Sequence, residues 1–309
     1  MGNKSSQCSF NTICIAESLS DSEPKTGTQL FNDLKSWIQA LRTGIGVSHI
    51  SIETTASIMD WLECIKKAVV SQGCIPIIHI EAHGSEEGIQ LNSGEFVPWK
   101  HMAGLLREIN IHTKNNLLIV VSACFGAHGI HIADVLEITP FFGIIGPNIE
   151  VTSRECAQGY QRFYQSLLKN LNLTQARQEL NFVLDDDKKN FQFHSAQDLF
   201  IEASIAYLKN HHSSKALRER TEGLVTRILE SPVGDKFTPT TARDFVKQKF
   251  KDGIQDFIED IYSTFMMLDQ FPENQGRFEL SFIEIIEILE KRRKHPDPRI
   301  RDSIHNFNK

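Results

Sequence analysis

Two places in the chain set a reactive side chain directly behind a short apolar run. Pro76-Ile77-Ile78-His79-Ile80 leads into Glu81-Ala82-His83-Gly84, and Leu117-Leu118-Ile119-Val120-Val121 leads into Ser122-Ala123-Cys124-Phe125-Gly126. A thiol with an ordinary pKa of about 8.5 is mostly protonated at neutral pH, and a nearby imidazole can take its proton. Cys124 and His83 are therefore a candidate nucleophile and base for attack on a carbonyl. Gly84 has no side chain, so its backbone N–H can approach a developing oxyanion closely, and the N–H of Cys124 itself is a candidate second donor. Gly126 lets the chain turn sharply away from the nucleophile.

Other chemistries are poorly supported. His79, Glu81 and His83 alternate as one face of a strand would, which raises a metal site, but a buried, hydrogen-bonded His79 is the simpler reading. His79-Ile80-Glu81 has the deaminase H-x-E spacing without a following P-C-x-x-C, and no H-E-x-x-H occurs. No phosphate-binding glycine motif is present, Gly44-Ile45-Gly46 reading as a turn. His128 and His131 follow Cys124 closely and are alternative bases, read as flanking the pocket. Cys8, Cys14, Cys64, Cys74 and Cys156 read as core residues, since free cysteine is among the most buried types. The proposed chemistry needs neither a metal nor another cofactor.

These residues can meet only if their strands are neighbours. Strands are expected near 11–15, 48–52, 75–81, 116–123 and 141–145, with amphipathic helices near 29–42, 57–70 and 99–109 between them. This alternation predicts an α/β domain with a mostly parallel sheet flanked by helices, and ligands bind beyond the carboxyl ends of such strands. Gly88–Val97 reads as a hairpin turning at Asn92-Ser93-Gly94. Two helical patterns then pass through Tyr160, Phe163, Tyr164 and Leu167 and through Ala176, Leu180 and Val183. The acidic stretch Asp185–Asp187 marks a boundary, after which the reading is of helices alone, near 196–209, 214–229, 241–268 and 281–293. In that C-terminal extension, apolar stripes such as Phe257, Ile261, Phe265 and Leu268 are read as covering the first domain as a second core, with a surface for a protein partner as the alternative.

In this order the motifs resemble the caspase-like cysteine peptidases of clan CD, and in particular their CHAT-type branch. The resemblance rests on His-Gly behind one apolar strand, Ser-Ala-Cys-x-Gly behind another, and the Gly88-Ile89-Gln90-Leu91 hairpin between them. Phe142-Gly143-Ile144-Ile145-Gly146-Pro147, the run Gln161–Leu168 and the run Leu173–Arg177 extend it. It covers residues 9–183 and says nothing of 184–309, so the expected organisation is a tail (1–8), a caspase-like domain (9–183) and a helical region (184–309). The resemblance implies a His83–Cys124 dyad without an obligatory third residue, and an extended peptide substrate beside the strand-end loops. It also implies limited proteolysis of a protein partner, an external activating partner, and a place among prokaryotic members that act in defence and cell death. In that family the residue two before the nucleophile lines the pocket for the side chain preceding the scissile bond. Here it is Ser122, which is uncharged, so an apolar or small side chain is expected there, with Glu81, Glu150 and Arg154 as the charged residues near predicted strand ends. A catalytically silent scaffold and another cysteine-dependent acyl-transfer enzyme are the rival readings.

Composition narrows the field. The 309 residues leave room for about two domains at roughly 100–200 residues each. The formal net charge of −6 supplies no basic field for nucleic acid or an anionic membrane. Six cysteines without C-x-x-C spacing fit a reducing cytoplasm, and no run is long enough for a membrane span. Gly2 and Ser6 fit the myristoylation pattern, but a plain tail is the reading taken.

Overall fold

The structure is a computed structural model that describes residues 8–181, 190–211, 214–230 and 236–294. The chain divides into two units, Met1–Ala196 with Met266–Phe278, and Gln197–Phe265 with Glu279–Lys309. The first opens with β1 (Thr12–Glu17), α1 (Thr26–Leu41), β2 (Gly46–Ser51), α2 (Thr55–Gln72) and β3 (Pro76–Glu81). Three short strands follow, β4 (His83–Gly84), β5 (Gly88–Gln90) and β6 (Phe96–Pro98). Then come α3 (Trp99–His112), β7 (Leu118–Ser122), a 3-10 turn at Gly126–Ile132, β8 (Gly143–Pro147), α4 (Ser153–Asn170), α5 (Leu173–Leu180) and β9 (Phe191–Ser195).

The main sheet has the order β2-β1-β3-β7-β8-β9, parallel except for β9, which runs antiparallel to β8. The α/β class expected from the sequence is the class observed. Every residue of β3, β7 and β8 is buried, as befits parallel strands covered on both faces, whereas edge strand β2 is largely exposed. From β1 the chain steps outward to β2 and then back past β1 to β3. Right-handed crossovers consequently put α1 and α2 on opposite faces, where they pack on α4 and α3 respectively. The expected hairpin is present as β5 and β6, paired through Ile89↔Val97, and β4 joins it to make a small second sheet.

Local chemistry sets the helix starts. Thr54 and Ser57 form a reciprocal capping box at α2, as Thr152 and Glu155 do at α4. Helix α1 has no such side chain at its N-cap; the buried Glu17 carboxyl accepts instead from the N–H groups of Gly27 (2.7 Å) and Thr28 (3.2 Å). A carboxyl at the end of one strand thereby caps the helix that follows it.

Two expectations about the C-terminal half change. The chain is not strand-free after the acidic stretch, whose residues 185–187 lie outside the described residues. Phe191–Ser195 pairs with β8 through Gly143↔Ser195 to Pro147↔Phe191, so the first unit runs on to Ala196 rather than stopping at 183. The short segment Met266–Phe278, which includes α9 (Pro272–Gln275), also belongs to this unit. Arg277 holds it there, donating to the carbonyls of Lys114 and Asn115 (both 3.0 Å) and to Asn116 Oδ1 (2.9 Å) at the entrance to β7.

The second unit contains α6 (Ala196–His211) from Gln197 onward, α7 (Ser214–Leu229), α8 (Pro239–Phe265) and α10 (Phe282–Lys294). Val225, Ala242 and Val246 form one core cluster, and Phe200 packs on Tyr262 and Phe265. Of the expected stripe Phe257, Ile261, Phe265 and Leu268, only Phe265 is buried, and Ile261 and Leu268 are half-buried. Among the described residues of α8, Ala242, Val246, Ile254, Ile258, Tyr262 and Phe265 are buried, while Phe257 is 45% exposed and Leu268 lies past the helix end. Both rows have helical spacing, and tertiary contacts choose between them. Among the described residues no helix is long and apolar enough to cross a membrane.

The Arg277 contacts generate a stability prediction. Arg277→Ala removes these three hydrogen bonds and leaves the Asn115 carbonyl without its donor, while the Lys114 carbonyl keeps Asn116 Nδ2 and Asn116 Oδ1 keeps the Ser9 N–H; unfolding stability should fall by about 2 kcal/mol. Chemical denaturation of the variant beside the parent protein checks this.

Candidate active site

The parallel register lines up three strand ends. Glu17 of β1 stands beside Glu81 of β3, and Glu81 stands beside Ser122 of β7. Because the chain reverses its direction of travel across the sheet at β1, the crevice beyond β1 and β3 is a topological switch point, the usual ligand position in open α/β sheets. Three loops leave this row: residues 18–25 after β1, 82 onward after β3, and 123 onward after β7.

His83 and Cys124 sit on two of these adjacent loops. Gly84 packs against the Cys124 backbone so closely that a Cβ there would lie 2.4 Å from the Cys124 carbonyl oxygen and 2.8 Å from Ala123 Cβ. Only glycine allows this approach. The His83 ring is 61% exposed, and its Nε2 lies 2.8 Å from Glu23 Oε1. No hydrogen bond joins the His83 and Cys124 side chains themselves. The half-buried Cys124 sulfur rests instead on the Val151 backbone, 3.5 Å from both its N–H and its carbonyl oxygen.

The backbone around the thiol is tightly constrained. Phe125 has φ 58° and ψ 20°, a left-handed conformation unusual for an aromatic residue, and its N–H donates to the Ile149 carbonyl. Gly126 follows in a turn so close that a Cβ would meet Val121 Cγ1 at 2.7 Å, which accounts for the glycine singled out in the sequence. Together these residues turn the chain off β7 and leave Cys124 at the bend.

The backbone N–H groups of Gly84 and Cys124, the candidate oxyanion donors, lie outside the ladder bonding of the sheets. Ser85 N–H donates to the Gly88 carbonyl, and β4 pairs with β5 as His83↔Gln90 and Gly84↔Ile89. In an antiparallel ladder the bonded and non-bonded pairs alternate, so Gly84↔Ile89 is a non-bonded pair and the Gly84 N–H is directed away from β5. Cys124 lies outside both sheets and the following 3-10 turn, so no ladder claims its N–H.

The remaining candidates occupy different environments. Ser122 is 4% exposed, and its hydroxyl faces the Cys156 thiol without a hydrogen bond of full geometry. Burial pushes that thiol up to about 12, an effect the Ser122 hydroxyl moderates. Glu81 is 3% exposed; it accepts from Thr26 Oγ1 (2.7 Å) and lies 3.1 Å from His79 Nε2, whose Nδ1 is 3.0 Å from Tyr164 Oη. His79 is thus the hydrogen-bonded core residue expected of it, and the chain bends after Glu81 so that His83 leaves that face. Glu150 and Arg154 are exposed and are not drawn into this network. A cavity of about 220 Å³ of mixed lining lies between α1 and α4, bounded by Thr26, Leu30, Asp33, Glu81, Ala157 and Tyr160 among others. The His128 and His131 rings make a tilted contact along the 3-10 turn, with centroids 5.7 Å apart and planes at 58°. Of the cysteines read as core, Cys14 and Cys156 are buried, Cys8 and Cys74 are intermediate, and Cys64 is exposed on α2, a correction to that reading. No group of three or more metal-ligating side chains occurs among the described residues.

Glu23 was not singled out in the sequence. Its signal was weak: a carboxylate in the polar loop Ser18-Leu19-Ser20-Asp21-Ser22-Glu23-Pro24 directly after the first strand. Which of the loop's two acids would meet a residue sixty positions away is set by the tertiary fold alone.

Two measurements test this geometry. Gly84→Ala should destabilise the protein by about 1–3 kcal/mol because backbone must yield, whereas Gly104→Ala, on the exposed side of α3 with open space around it, should stabilise it by about 1 kcal/mol. Thermal or denaturant unfolding of the two variants gives opposite signs. The raised Cys156 thiol is protonated at all ordinary pH values, so alkylation followed by mass spectrometry should leave it unmodified in the folded protein at pH 8 while exposed Cys64 reacts. Compared with known proteins, the chain matches no family model, and no curated protein matches it.

Proposed function

We propose that this chain is a cysteine endopeptidase that cuts a protein partner by limited proteolysis. Cys124 is the nucleophile, His83 the general base and acid, and the N–H groups of Gly84 and Cys124 the oxyanion donors. The observation that carries the reading is the contact of the Gly84 backbone with the Cys124 backbone at neighbouring strand ends. It brings a thiol, an imidazole and two backbone donors to one rim of the sheet.

In the proposed reaction, the Cys124 proton passes to His83 as sulfur attacks the scissile carbonyl. The two N–H groups hold the oxyanion of the tetrahedral intermediate. His83 returns the proton to the leaving amine, and water then releases the acyl group from sulfur by the same relay. Catalytic hydrogen bonds are commonly long before substrate binds, which accommodates a His83 ring and a Cys124 thiol that each have another partner in this structure. The uncharged, buried Ser122 supports an apolar or small residue before the scissile bond. A charged side chain beside it would need a counter-charge that Ser122 lacks.

The test is to incubate the full-length protein with a soluble protein lysate and label the new N-termini for mass spectrometry. Cleavage at a few sites is expected, with Cys124→Ala lowering its rate by about 10³-fold or more. Unchanged cleavage by Cys124→Ala would refute the peptidase reading, and transfer of the acyl group to an added amine in place of water would assign the same dyad to acyl transfer. Lys, Arg or Asp dominating the position before the cut would overturn the pocket assignment.

A further inference from the structure

We propose that Glu23 is the positioning residue for His83, accepting its Nε2–H and so leaving Nδ1 as the nitrogen that takes the Cys124 proton; this rests on the cysteine-peptidase reading. The contact joins two loops at the switch point of the sheet. Glu23 lies after β1, His83 after the neighbouring β3, and Glu23 Oε1 is 2.8 Å from His83 Nε2.

Glu23 is a fixed acceptor. Its other oxygen, Oε2, accepts from the N–H (2.8 Å) and Oγ (2.7 Å) of Ser20, which leaves Oε1 for the imidazole. These Ser20 bonds, with a further contribution from His83, hold the carboxyl below the usual carboxylate range. The loop is tied down on several sides. Ser18 N–H donates to the Glu81 carbonyl, Ser18 Oγ donates to the Ile52 carbonyl, and Asn92 N–H donates to Ser18 Oγ. Within the loop, Glu23 N–H donates to the Ser20 carbonyl and Lys25 Nζ to the Leu19 carbonyl.

The pair makes more sense as orientation than as stabilisation. His83 is 61% exposed and Glu23 30%, and a polar contact so open to water contributes little to folding. Its effect is on the ring. An imidazole has two nitrogens, and its use as a base depends on which of them carries the hydrogen. With Nε2–H donated to Glu23, the Nδ1 lone pair is available. The proton leaves Cys124 Sγ for Nδ1, giving a thiolate and an imidazolium; the imidazolium then lies between Glu23 and the thiolate, and its proton departs with the leaving amine. No other reactant is required.

The experiment measures iodoacetamide alkylation of Cys124 by mass spectrometry in the full-length protein, with Cys64 as internal reference, in the parent, His83→Ala, Glu23→Ala, Glu23→Gln and Glu23→Asp. The 15N shifts of the His83 ring are recorded alongside, with the ring neutral. Glu23→Ala should slow Cys124 alkylation about 10-fold or more, toward the His83→Ala rate, with Cys64 unchanged. Glu23→Asp should recover part of the loss, and the ring should change from the Nε2–H form in the parent to a mixture in Glu23→Ala. Glu23→Gln, which keeps the shape and loses the charge, guards against a purely steric effect and should resemble Glu23→Ala. Unchanged alkylation in Glu23→Ala when His83→Ala is slowed, or identical ring shifts in parent and Glu23→Ala, would overturn the assignment. Neither readout depends on proteolysis, so unchanged cleavage by Cys124→Ala would remove the peptidase reading while these results still judge the Glu23–His83 pair.

Discussion

The strand-end row depends on two buried carboxyl groups whose hydrogen bonds are supplied by α1 and its surroundings. A buried ionisable group without partners costs several kcal/mol or more, so Glu17 and Glu81 dictate what must stand next to them. Glu17 takes the N–H groups of Gly27 and Thr28 and the Thr28 hydroxyl, while Glu81 takes the Thr26 hydroxyl and meets His79. The first turn of α1 is thereby fixed to the ends of β1 and β3. That attachment sets both ends of the 18–25 loop, and with them the place of Glu23 relative to His83.

Burial then orders the rest of the network. Tyr160 and Tyr164 are fully buried, which pushes both phenols well above their usual range and keeps them as hydroxyl donors. Tyr160 donates to the Val121 carbonyl, and Tyr164 lies beside His79 Nδ1. If Tyr164 donates to Nδ1, His79 carries its proton on Nε2 and donates to Glu81, and all three side chains are satisfied by one chain of bonds. The two histidines on this stretch consequently differ. His79 is enclosed within α4 and the sheet, whereas His83 lies beyond the bend, exposed and held by a single carboxylate.

Much of this was readable in advance where a residue's position follows from local pattern. Continuous apolar runs such as Pro76–Ile80 and Leu117–Val121 indicated buried parallel strands, and the residues behind them necessarily fell at the carboxyl edge. Gly84 and Gly126 were notable because close backbone approach admits no other residue, and both make such an approach. By contrast, β9 was missed although Phe191 and Phe193 alternate with polar residues. Five residues of alternation are short, and an edge strand takes its identity from the neighbour it pairs with. On α8 two rows have acceptable spacing and share Phe265, and the burial of Ile254, Ile258 and Tyr262 over Phe257 depends on what packs there.

The amino-acid sequence by itself determined the α/β alternation and the strand-end placement of His83, Gly84 and Cys124, because hydrophobic periodicity and chain reach are local properties. Only the tertiary structure decided the strand order, which makes β3 and β7 neighbours and puts Gly84 on the Cys124 backbone. It alone also decided that Glu23, sixty residues before His83, is the carboxylate that meets it. The physical reason is the same in both cases: a hydrogen bond or a backbone contact acts over a few ångström, and which distant residues come within that range is fixed by sheet register and helix attachment.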